Sequence, residues 1–135
     1  MDLALSLVNR LNSDTAVTSK ISSYNGSPSV FASWPVPPDA SRPFIVIQLV
    51  SYNAWDDAVV HGRDTLYDVG CYCNSASGSD IHDLVESVRA RIHKQQLSFD
   101  TGRFVKVVCT DVAPAPTDSS LIGMVLTFRI LSMEA

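Results

Sequence analysis

The chain has no apolar run long enough for a transmembrane helix, too few cysteines for a disulfide scaffold, and no basic stripe. Each lack removes a class of function. Lys and Arg total 10 against 14 Asp and Glu, giving a net charge of −4, and only Arg89, Arg91 and Lys94 lie close together. Tight nucleic-acid binding needs several phosphates neutralised along one surface, so this chain is expected to let DNA pass rather than hold it. Cys71, Cys73 and Cys109 are odd in number, and Cys71-Tyr72-Cys73 lacks the C-x-x-C spacing of zinc ribbons and thioredoxin-like sites. Buried thiols acting as small apolar fillers account for them. Met1 is followed at once by Asp2, and Asn9 and Arg10 interrupt the first apolar segment. No signal peptide is therefore expected, and the thiols are expected to be reduced in a cytoplasmic product.

Catalytic signatures are missing as well. There is no G-x-S-x-G, and Gly26 and Gly78 stand singly where a phosphate-cradling loop would need several glycines. His61, His82 and His93 are spread along the chain, the last two separated by about three helical turns, so they do not share a metal. His61 near Asp56, Asp57 and Asp64 imitates a base with carboxylate partners, but a solvated polar loop uses the same letters. No enzyme activity, cofactor or metal is expected.

What is present reads as one domain of 135 residues with 46% hydrophobic and 18% charged positions, large enough to bury an ordinary core. Ala4, Leu7, Val8 and Leu11 recur at helical spacing, and Asn12-Ser13-Asp14 can break or re-cap a helix continuing towards Ile21. From Tyr24 to Ser41, Gly26, Pro28, Pro35, Pro37 and Pro38 exclude a regular helix and predict an extended connector, pinned to the domain by Phe31 and Trp34. Pro43 opens a strand over Phe44 to Ser51, apolar on both faces. Residues 65 to 74 alternate with the two-residue period of a half-buried strand. Ile81, Leu84, Val85, Val88 and Ile92 form one stripe of a helix capped by Ser79 or Asp80. Phe104 to Val112 and Leu121 to Leu131 predict two further strands, the second with Ile122, Met124, Leu126, Phe128 and Ile130 on its inward face. The expectation is an α+β fold, a largely antiparallel four-stranded sheet with two helices packed on one face.

Tyr52 to Arg63 is predicted as a long polar turn or arm. Trp55 stands there among polar neighbours, outside every core stripe, and Trp is enriched among the residues that anchor interfaces. Trp55, Asp56, Asp57, His61 and Arg63, with Trp34 of the connector, are therefore the expected contact residues.

With these elements in hand, the chain resembles the small tail-completion proteins of long-tailed bacteriophages and prophages, which include tail terminators and tail-to-head joining proteins. The resemblance is carried by the N-terminal helix ending near Ile21, the proline-bearing connector, the strand Pro43-Phe44-Ile45-Val46-Ile47-Gln48-Leu49-Val50-Ser51, and the strand Tyr67-Asp68-Val69-Gly70-Cys71-Tyr72-Cys73. The helix from Asp80 to Lys94 and the last two strands complete the order. It implies a virion component at the tail-head junction, a hexameric ring that ends the tail tube and docks the head. Its partners would be copies of itself, the tail tube protein and head-tail connector proteins, with DNA passing through and no membrane. A different class, a small dimeric α+β domain that binds a ligand or regulates, needs a concave pocket with convergent polar groups.

Overall fold

A computed structural model of the chain describes residues 3–32, 36, 41–56, 61–74, 78–93, 103–115 and 121–133. In chain order the elements are α1 (Leu3–Asn12), α2 (Thr15–Thr18), β1 (Ser23–Tyr24), β2 (Ser27–Pro28), β3 (Val30–Phe31), β4 (Phe44–Asp56), β5 (His61–Asn74), α3 (Gly78–Ile92), β6 (Arg103–Pro114) and β7 (Leu121–Met133). Five strands form one sheet in the order β3-β4-β5-β7-β6, and β1 and β2 make a separate two-stranded hairpin.

The fold is α+β, but its sheet is five-stranded and mixed where four largely antiparallel strands were expected. The extra strand comes from the connector. Asn25 and Gly26 have φ of 50° and 82°, the left-handed pair that a two-residue hairpin turn demands, and they reverse the chain between β1 and β2. Val30 and Phe31 then lie parallel to Ile45 and Val46. Ser22 clamps this return: its hydroxyl lies 2.9 Å from that of Ser29 and donates to the carbonyl of Ser41 at 2.6 Å. The Ile45 amide donates to the Ser29 carbonyl at 2.9 Å. Prolines thus exclude helix, while the short segment between them still satisfies its backbone groups by pairing.

One face of the sheet carries the helices. Leu7, Leu11, Val17, Ile81, Leu84, Val85, Val88 and Ile92 pack against Ile45, Ile47, Val69, Cys71, Val107, Leu126, Phe128 and Ile130. Burying each of the larger side chains contributes about 1.5–3 kcal/mol before chain entropy is counted. The predicted stripe of α3 is the buried one, although the helix runs from Gly78 to Ile92 rather than from Asp80 to Lys94. Asp14 caps α2 by accepting from the Ala16 amide at 2.9 Å. At their C-terminal ends α1 and α3 exchange caps. Arg10 Nε donates to the Arg91 carbonyl and Arg91 Nε to the Arg10 carbonyl, each at 3.3 Å. Each helix thereby receives a cation where its dipole is negative.

The opposite face holds a second, smaller core that the sequence pattern did not disclose. Phe44 and Tyr72 stack with ring centroids 5.4 Å apart, and Phe31 meets Phe44 edge-on at 6.1 Å. Val46 joins them, with Val36 and Ala115 packed alongside. Tyr72 lies over Gly70 and Gly123, where an added Cβ would come within 2.6 Å and 2.7 Å of its ring. The two glycines are the floor on which the ring rests.

Candidate functional interface

The predicted polar arm is mostly sheet. β4 continues to Asp56 and β5 begins at His61, so Tyr52 pairs with Thr65, Ala54 with Arg63, Trp55 with Gly62 and Asp56 with His61. Asn and Asp disfavour strands and hid this continuation, but β5 supplies a partner for every rung after the bulge between Leu49 and Ser51. β5 is itself held by β7, with Gly62 opposite Met133 and Arg63 opposite Ser132. Trp55, Asp56, His61 and Arg63 are therefore gathered at one end of a firmly laddered hairpin. The side chains of Trp55, Asp56 and His61 lie outside the described part of the structure; Arg63 is half-buried. Asp57 and Trp34 lie outside the described residues altogether.

Beside this end the sheet carries a charged ladder. Arg129 grips Asp64 with two nitrogens, Nε at 3.0 Å from Oδ1 and Nη2 at 2.6 Å from Oδ2. The hydrogen bonds from Arg129 hold the Asp64 carboxyl below its ordinary range, against a smaller opposing effect of burial. Thr127 Oγ1 donates to Asp68 Oδ1 at 2.8 Å on the same pair of strands. Asp64, a candidate carboxylate partner for His61 by sequence, is thus committed to an arginine.

The thiols sit away from this end. Cys71 and Cys73 are buried in the helix-covered core and Cys109 is half-buried. Burial, and secondarily Cys73, pushes the Cys71 thiol far above its ordinary range, which suits an inert filler. Among the described residues no three His, Cys, Asp or Glu side chains converge on a common point. His93, just past α3, accepts at Nδ1 from the Cys109 amide at 2.9 Å and so pins β6 to the helix layer. No periodicity or motif marked that contact. A shallow groove between α2 and α3 is lined by Asp14, Ala16, Glu86, Ser87, Ala90 and Arg91.

No curated protein matches the chain in sequence. Among solved structures the chain is similar to one from the "Virion of native gene transfer agent (GTA) particle", with a TM-score of 0.77 and 16% identity over 98% of this chain and 95% of that one. At that identity the likeness establishes a shared fold. The model of one sequence family, described as "Tail completion protein gp17", matches residues 6–132, from within α1 to within β7. The chain belongs to the tail completion protein gp17 family.

Proposed function

We propose that this protein is a non-enzymatic structural component of a phage-like tail, assembling as a ring that ends the tail tube and joins it to the head. Family membership across residues 6–132 carries the reading. The similar chain supports it, since that protein is part of the virion of a gene transfer agent particle. The acidic balance is consistent with a conduit through which DNA moves without being held. A closed ring needs two different, complementary patches on every copy. The end of the β4–β5 hairpin, with Trp55, Asp56, Asp57, His61 and Arg63, is one patch in this proposal, and Trp34 of the connector adds to it. Tail tube and connector proteins occupy the two sides of the ring.

Two measurements test it. Negative-stain images of tails made without the protein should show tubes of uncontrolled length lacking heads, and added protein should restore both. Tails that finish normally in its absence would end the proposal. Trp55→Ala should lower ring assembly and loosen tail-length control; if both are unchanged, the hairpin end is not the contact.

A further inference from the structure

The sheet has two outer edges, and they complement one another. On one side β3 covers only Ile45 and Val46 of β4, so among the described residues no strand lies against the outer side of residues 47–56. On the other side β6 is the last strand of the sheet. Open edges of this length invite pairing with another chain, and monomeric proteins usually shorten or cover them. Here both edges carry exposed apolar side chains: Leu49 is 47% and Val50 51% exposed on β4, and Val112 is 37% exposed on β6.

From these observations we infer that copies of this chain join edge to edge, β4 of one against β6 of the next, so that the sheets run on from subunit to subunit. The inference rests on the ring reading above and names the surfaces that close it. Direction is the first argument. β4 is antiparallel to β5, β5 to β7 and β7 to β6, so β6 runs opposite to β4. Rotation about an axis along the strands preserves their directions, and β4 then meets the neighbour's β6 as an antiparallel partner.

Level is the second argument. Continuous rungs cross the whole sheet: Ile47, Val69, Leu126 and Val112 form one, Leu49, Tyr67, Phe128 and Cys109 another, and Asn53, Asp64, Leu131 and Lys106 a third. Pairing without a shift therefore sets the apolar stretch Ile47 to Val50 against the stretch Cys109 to Val112. Pairing β4 with a second β4 would leave both β6 edges open. The bulges at Val50 and on β6 between Phe104 and Lys106 and between Cys109 and Asp111 twist each edge, which discourages indiscriminate partners while leaving one register. Main-chain hydrogen bonds supply the attraction and the side chains on both edges supply the choice of partner.

Hydrogen exchange decides the matter. Amides of residues 47–56 and 103–113 should slow together by at least tenfold when free chain becomes self-assembled or tail-bound, with those of α3 unchanged. Protection at one edge alone, or at neither, overturns the inference. Val50→Asp should keep the circular dichroism and thermal midpoint of the free chain while reducing assembled protein at least tenfold; undiminished assembly also overturns it. If Val50→Asp assembles and completes tails, the edge pairing falls and the tail function stands. If the unaltered protein self-assembles with both edges protected yet fails to complete tails, the function falls and the pairing stands.

Discussion

The two faces of the sheet are built on different principles. Under the helices, aliphatic side chains from α1, α2, α3 and four strands interlock around Phe128, with most members wholly shielded from water. On the other face a few rings cluster at one end, Tyr72 on a floor of glycine, and an ionic ladder occupies the other. The first face gains its stability from volume that must be filled, the second from space that must be kept empty. A large side chain removed from one and a methyl group added to the other should therefore do similar kinds of harm.

The widest contrast comes from Phe128→Ala, which leaves a cavity where helix and sheet meet and should cost about 3–5 kcal/mol in urea unfolding. A loss below about 1 kcal/mol would mean the helix layer collapses to fill the space. Gly70→Ala tests the second face, where the new methyl would meet the Tyr72 ring. It should cost about 1–3 kcal/mol. In a Tyr72→Ala background that penalty should largely vanish, and a double-mutant cycle showing simple additivity would mean the ring is not what the glycine accommodates.

The smallest effect belongs to the ionic ladder. Because Arg129 holds the folded Asp64 carboxyl below its ordinary value, the pair contributes its stability above the unfolded carboxylate pKa and loses it as pH falls through the depressed folded value. Asp64→Asn should therefore narrow the gap between stability at neutral pH and at pH below about 4. The absolute change should be small, since exposed ion pairs are screened by water. An identical acid profile in variant and parent would show the pair to be thermodynamically silent.

Sequence reading recovered the face that depends on filling and overlooked the one that depends on emptiness. The stripe of α3 and the alternation in β5 and β7 place apolar side chains at the period of their element, and the structure buries most of them, with Ile122 and Met124 partly covered at the margin. Gly70 and Gly123 carry no such signal. Read alone each is a weak strand residue, and only the pairing of Tyr72 opposite Gly123 reveals a ring spread over both. Asn25-Gly26 was legible as a hairpin turn by its letters, yet the surrounding prolines suggested only an extended connector. The hairpin end containing Trp55 was misjudged as a free arm because Asn53 and Asp56 are poor strand formers taken singly. Pairing with β5 overrides that preference. The contact residues proposed there follow from composition and position, which sequence does show.

The innermost strands of the sheet, β5 and β7, are also far apart along the chain, with α3 and β6 between them. Each neighbours a strand next to it in sequence, β4 and β6 respectively, and those two hairpins can zip up from local contacts alone. Their seam cannot: it must wait for a long loop to close and for α3 to arrive beneath it, so the slowest event in making this molecule should be the joining of two preformed halves along its midline.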